Sequence, residues 1–259
     1  MATPRTHLES LLRERRLDRT LTTAIPAPHP HADALAPTGV PALDARLGGG
    51  FPRGQLSELV GPRSAGRASV MLQLLATATT RHELVALIDV LDMLDVESAA
   101  AAGVDLDRLL WIRGHVVVNP GMCRDLNQRA LEQAIRAFAL VLQAGNFGAV
   151  VFDAAEAPAD ALRRLPFTTW LRLQRMVEGT QTACLLVGAD PMARSSAGLT
   201  VKLSQSPGSN LQFPRSSRFS ARLFDGLTIG ARVVQARATR SREQEEANVV
   251  FTTAASDCA

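Results

Sequence analysis

Two glycines separated by four residues, Gly61 and Gly66, mark the segment of this sequence best suited to binding chemistry. They lie between an apolar run that predicts a strand, residues 55–60, and a run that predicts a helix, residues 68–80. In this context the spacing matches the phosphate-binding pattern GxxxxGK(S/T), in which backbone N–H groups and a helix N-terminus face an anion. The candidate nucleotide-binding loop comprises Gly61, Pro62, Arg63, Ser64, Ala65, Gly66, Arg67, Ala68 and Ser69.

The two side chains that carry the chemistry of this pattern are different here. Arg67 stands in place of the lysine, and a planar guanidinium prefers a bidentate fork where lysine supplies a compact point charge. Ala68 stands in place of the serine or threonine, so it offers no oxygen to Mg²⁺, and Ser69 comes one residue late. Three interpretations follow: a strand-to-helix turn without a ligand, an arginine that attracts a phosphate or another acidic group, and ordinary ATP turnover, which is the least favoured.

Apolar runs that alternate with helical patterns predict an α/β fold around this loop. Strands that are apolar throughout are typical of a mostly parallel sheet covered by helices on both faces. We predict further strands at residues 84–89, 109–113, 148–152 and 182–187, and helices at residues 96–102, 125–143 and 167–178. Beyond them, residues 194–210 predict a loop, and residues 218–224, 228–237 and 248–252 predict an antiparallel extension of the sheet.

The N-terminal residues predict a helix separate from this core. Residues 6–21 place their leucines on one helix face, and the four prolines of residues 25–37 favour an extended linker. We therefore expect a helix in residues 1–24, a linker in 25–37, a core in 38–240 and a tail in 241–259. The leucine stripe needs a surface to cover it, either on its own core or on another protein, and the candidate partner-binding residues are Leu8, Leu11, Leu12 and Leu17.

Positive charge is concentrated near the C-terminal end of the chain. Between residues 194 and 242 there are nine basic residues and one acid, Asp225, although the whole chain carries a formal charge of only +3. Such a segment can neutralise the phosphates of single-stranded DNA, or it can be a solvated basic surface. The candidate DNA-binding residues are Arg194, Lys202, Arg215 and Arg218.

Composition restricts the class of protein. No apolar run approaches the roughly 20 residues of a membrane span, and residues 1–19 lack the apolar centre of a signal peptide, so we expect a cytoplasmic protein without membrane contact. The cysteines, Cys123, Cys184 and Cys258, are far apart and predict neither a disulfide framework nor a metal site. We expect no cofactor.

An ordered series of motifs resembles the RecA recombinase superfamily over residues 38–237. The series begins with TGVPALDARLGGGFPRG at residues 38–54, continues with the loop, and ends with IDVLDMLD at 88–95 and GVD at 103–105. Asp153 matches the family's Walker B aspartate. The resemblance implies a RecA-like P-loop core with a mostly parallel central sheet.

Further departures from the family pattern concern catalysis. The family reads Ile-Asp-Ala-Glu where this chain has Leu91 in place of the glutamate that activates the attacking water. The family's γ-phosphate-sensing glutamine is absent from residues 188–190, which read Gly-Ala-Asp. With Arg67 and Ala68, these departures predict that the chain does not hydrolyse ATP.

Within this superfamily the helix, the linker and residues 38–54 resemble ImuA-like proteins of bacterial damage-induced mutagenesis. That resemblance implies an adaptor in translesion DNA synthesis that contacts RecA, polymerase partners or both, through an N-terminal helix that imitates RecA's own docking helix. The alternatives are a DNA-binding protein and a DNA-dependent ATPase with an atypical loop.

Overall fold

An eight-stranded sheet is the centre of the computed structural model, which describes residues 34–114, 124–193, 197–205, 227–236 and 249–253. The strands are β1 (Leu35–Ala36), β2 (Phe51–Pro52), β3 (Gln55–Val60), β4 (Val85–Asp89), β5 (Leu109–Arg113), β6 (Ala149–Asp153), β7 (Ala183–Gly188), β8 (Leu199–Gln205), β9 (Leu227–Ala236) and β10 (Val249–Thr253). The helices are α1 (Pro41–Leu47), α2 (Arg67–Thr80), α3 (Val96–Ala101), α4 (Arg124–Ala144), α5 (Ala159–Arg164) and α6 (Phe167–Val177), with a 3₁₀ turn at Leu106–Arg108. Strands β1 and β2 form a separate small antiparallel pair.

The large sheet has the order β10-β9-β8-β3-β7-β6-β4-β5, and its six strands from β8 to β5 are parallel. The prediction of a mostly parallel α/β sheet is confirmed. The strands predicted at residues 55–60 and 109–113 have their predicted bounds, and the other predicted helices and parallel strands within the described ranges agree to one residue at each end. In a parallel sheet all carboxyl ends meet at one edge, so the loops after β3, β4, β6 and β7 lie together.

Helices cover both faces of the sheet, and each face has its own apolar core. On one face α2 buries Val70, Leu74 and Leu75 against the sheet. On the other face Phe152 of β6 packs between α4 and α6, with ring centroids 5.2 Å from Phe138 and 6.4 Å from Trp170. The central strands β4, β6 and β7 are buried from both sides, which explains their nearly continuous apolar sequences.

The predicted loop at residues 194–210 is wrong over residues 199–205, which form β8 parallel to β3. Leu199, Val201 and Leu203 alternate with polar residues and are buried, the period-two pattern of a strand. The predicted antiparallel extension is confirmed, because β9 pairs antiparallel with β8, and β10 with β9. The predicted strand at 218–224, the helix at 6–21, residues 25–33 of the linker and residues 241–248 and 254–259 of the tail lie outside the described residues.

A buried arginine joins the strands at the amino edge of the sheet. The side chain of Arg53 is only 7% exposed. Its guanidinium donates to Glu83 Oε1 at 2.8 Å, to the carbonyls of Gly148 and Gln181 at 2.9 Å each, and to that of Leu35 at 3.4 Å. One side chain therefore links the starts of β3, β4, β6 and β7, at the edge opposite the candidate loop.

No helix in the described part of the chain is long and apolar enough to cross a membrane.

Candidate functional site

The candidate loop follows β3 and leads directly into α2. Gly66 has φ +86° and Ser64 has φ +59°, both in the left-handed region. A Cβ added to Gly61 would lie 2.6 Å from the carbonyl oxygen of Leu203 in β8. Both glycines are thus required by the backbone, Gly66 by its φ angle and Gly61 by the close approach of a neighbouring strand.

The guanidinium of Arg67 is held by the segment that follows β6. Arg67 is 6% exposed. Its Nη1 donates to the Ala155 carbonyl and its Nη2 to Glu156 Oε1, both at 3.3 Å. Arg63, a second loop residue, pairs with the other oxygen of the same carboxylate, Oε2, at 2.7 Å. A single carboxylate of the chain itself therefore pairs with both loop arginines.

Asp153 lies at the carboxyl end of β6, directly beside Asp89 at the end of β4. Desolvation raises the pKa of Asp153 to about 6, and the charges of Asp89 and Glu156 also act to raise it. The Ala155 N–H, which donates to Asp153 Oδ1 at 2.9 Å, and the charge of Arg67 oppose the shift. The Walker B position thus holds a carboxylate whose ionised form is disfavoured in the folded protein.

Asp89 is 2% exposed and is already occupied by structural hydrogen bonds. It accepts from the backbone N–H of Met93 at 2.9 Å, from that of Leu94 at 2.8 Å and from Trp111 Nε1 at 3.2 Å. These donors fix the turn between β4 and α3. Asp89 therefore fixes the backbone of the segment that contains Leu91.

Leu91 occupies the position where the resembled family has its general base. It is 9% exposed and lines a small depression together with Asp89 and Asp153. The next residue, Asp92, has φ +56° and receives two 2.7 Å hydrogen bonds from Arg113 of β5, which lower its pKa. The nearest carboxylate in sequence is thus paired with an arginine, and a leucine side chain has no group that accepts a proton.

Residues 68 and 188–190 are the other positions that depart from the family pattern, and the residues found there do not supply the missing groups. Ala68 is exposed in the first turn of α2, and Ser69 is half-buried behind it. Ala189 and Asp190 are exposed after β7, where they line an open cavity of about 100 Å³. The cavity is otherwise mainly apolar, with Leu165, Trp170 and Met192 as its most buried walls.

A fully buried carboxylate, Glu58 in β3, was not singled out by the sequence reasoning. Its Oε1 accepts from the backbone N–H groups of Met192 and Ala193 at 2.7 Å each, and its Oε2 accepts from Thr200 Oγ1 at 2.8 Å. Glu58 thereby fastens the connection between β7 and β8 to the strand that precedes the candidate loop. The only sequence signal was a glutamate inside an otherwise buried strand.

The candidate sites in the basic and N-terminal segments are only partly covered by the structure. Lys202 is exposed in the middle of β8, so its side chain lies on the sheet and not on the predicted loop. The remaining DNA-binding and partner-binding candidates lie outside the described residues: Arg194, Arg215, Arg218, Leu8, Leu11, Leu12 and Leu17.

Comparisons with known proteins point to one family. A model of the RecA N-terminal domain matches residues 29–157. Protein RecA of Clavibacter michiganensis subsp. michiganensis is 38% identical over 125 residues, which are 48% of this chain and 31% of that protein. Protein RecA of Heliobacterium modesticaldum is 30% identical over 220 residues, 78% of this chain and 59% of that protein. The chain thus spans about a third to three fifths of the length of these curated relatives.

Proposed function

We propose that this chain, which is related to the RecA superfamily, is a non-catalytic ImuA-like accessory protein of the bacterial DNA-damage response. In this role it is an adaptor in translesion DNA synthesis and contacts RecA, the mutagenic polymerase partners, or both. The observation that carries the proposal is the hydrogen bonding of Arg67 in the candidate loop. Arg67, in the lysine position, is hydrogen-bonded to Ala155 and Glu156 of its own chain.

Hydrolysis of ATP needs a nucleophile that is oriented or deprotonated, a metal ion and a cation at the β and γ phosphates. Leu91 supplies no base, Ala68 supplies no metal ligand, and Arg67 is engaged elsewhere. Loss of a general base alone typically lowers a rate by about 10² to 10⁴. These losses in one site support a scaffold that binds partners and does not turn over nucleotide.

The partner-binding part of the proposal rests on the N-terminal leucines. The sequence predicts that residues 6–21 form a helix with an apolar stripe on one face, followed by a proline-containing linker. A chain lacking residues 1–24 should lose at least tenfold in affinity for RecA or for the polymerase complex. Substitution of the leucine stripe by glutamine should have the same effect, and substitution of polar residues in the same helix, Glu9 and Glu14, should not.

One set of titrations tests the whole proposal. Purified protein is titrated separately with a labelled ATP analogue, single-stranded DNA, RecA and the polymerase partners, and phosphate release is measured with and without DNA, with an active RecA as positive control. We expect a protein partner to bind and phosphate release to stay at background. DNA-stimulated phosphate release that disappears in Asp153→Ala would refute the non-catalytic assignment and favour an atypical ATPase.

A further inference from the structure

The two arginines of the candidate loop converge on one carboxylate from another part of the chain. Arg63 Nη2 lies 2.7 Å from Glu156 Oε2, and Arg67 Nη2 lies 3.3 Å from Glu156 Oε1. Glu156 follows β6, whereas both arginines follow β3. The carboxylate therefore offers the loop a negative charge and two acceptor oxygens, the features that a bound phosphate would offer.

The two ion pairs are unequal because the arginines differ in exposure. The side chain of Arg63 is 81% exposed, so solvent screens its pair with Glu156 and the contribution is small. The side chain of Arg67 is 7% exposed and that of Glu156 is 27% exposed. A guanidinium held away from water depends on its acceptors, so the pair with Arg67 dominates.

The backbone of the loop is sharply curved where it enters α2. Gly66 and Ser64 are in the left-handed region, and α2 begins at Arg67 and runs for 14 residues. The first turn of α2 contains no acidic residue of its own. The negative charge next to Arg67, the first residue of this helix, comes instead from Glu156.

We propose that Glu156 is an intramolecular latch that competes with external anions for Arg67 and so keeps the loop closed to phosphate groups. The inference deepens and rests on the proposed function, since it gives a physical reason why the loop does not engage nucleotide. An anion gains access to Arg67 only when Glu156 leaves. Glu156→Gln keeps the size of the side chain but removes the charge that holds the guanidinium.

The test is calorimetric titration of the full chain with inorganic pyrophosphate in magnesium-free buffer that contains EDTA. We expect Glu156→Gln and Glu156→Ala to bind pyrophosphate roughly tenfold or more tightly than the unmodified chain, the size of one charge-assisted hydrogen bond. Glu178→Gln changes the net charge equally at an exposed residue that follows α6, and it should leave affinity unchanged. Adding Arg67→Gln to Glu156→Gln should abolish the gain.

Three results would overturn the latch: equal affinity in the unmodified chain and both Glu156 variants, the absence of pyrophosphate binding in all of them, or a gain that survives the loss of Arg67. Circular dichroism melting of each variant establishes that it is folded, and the two Glu156 variants check one another. The outcome is separate from that of the proposed function, which fails on DNA-stimulated phosphate release and not on anion affinity.

Discussion

Replacing Asp153 by asparagine should stabilise the protein at neutral and alkaline pH. The amide keeps an oxygen for the Ala155 N–H, which donates to Oδ1 at 2.9 Å, but it has no charge to desolvate. The pKa of Asp153 is raised from 3.8 to about 6 in the folded protein. A difference of about 2 units corresponds to about 3 kcal/mol of destabilisation when the group is fully ionised.

The sign of the pH dependence follows from proton binding. Because the folded state holds this proton more tightly than the unfolded state, the contribution of Asp153 to stability increases as the pH falls from above 6 to below 4. The advantage of Asp153→Asn should therefore be largest near pH 8, decline below pH 6 and be close to zero near pH 4.

Urea unfolding of both proteins between pH 4 and 8 measures this difference. Asp190→Asn removes an exposed carboxylate and is the matched control, with a change in stability that should not vary with pH in the same way. A variant that is no more stable at pH 8, or whose advantage is constant across the range, would refute the reasoning.

Three further variants, two with a single substitution and one with four, test other parts of the chain. Arg53→Met should lower the free energy of unfolding by about 3–5 kcal/mol because it removes the buried guanidinium that donates to Glu83 and to three carbonyls. Arg81→Met, which removes a more exposed partner of Glu83, should cost less than about 1 kcal/mol in the same urea assay. Glu58→Ala should lower the free energy of unfolding by about 3 kcal/mol or more and should speed amide hydrogen exchange at Met192 and Ala193. Unchanged exchange at these two residues would count against the role of Glu58 in holding the connection between β7 and β8. Replacing the basic candidates by alanine should weaken binding to single-stranded DNA and reduce its salt dependence, measured by fluorescence anisotropy, whereas equal affinity would show a solvated basic surface. The residues replaced together in that variant are Arg194, Lys202, Arg215 and Arg218.

The sequence predicted the elements whose burial is complete. The central strands β4, β6 and β7 are almost entirely apolar because helices cover both faces, and that pattern is visible locally. β8 was missed because the serine, glycine and arginine residues around it are typical of a loop. Residues 199–203 nevertheless alternate between apolar residues, which are buried, and polar residues. The short α5 was missed because six residues give little periodic signal.

The partners of the site residues could not be predicted, because each joins distant parts of the chain. Glu156 is 89 residues from Arg67, and Met192 is 134 residues from Glu58. No local pattern pairs a particular carboxylate with a particular donor at such separations. The sequence identified Arg67 as altered and left open the attraction of an acidic group, and the fold supplies Glu156 as that group.

The glycines of the loop say less about ligand binding than their spacing suggests. Gly66 is suited to the left-handed φ that joins β3 to α2, and Gly61 is required because β8 passes too close for a Cβ. A RecA-like sheet with β8 beside β3 therefore retains both glycines for reasons of backbone geometry, with or without a phosphate. The residues that distinguish a nucleotide site from a structural turn are the side chains at positions 67, 68 and 91. In this chain they are an arginine bound to its own glutamate, an alanine and a leucine, so the backbone pattern of the loop is present without the side chains that usually accompany it.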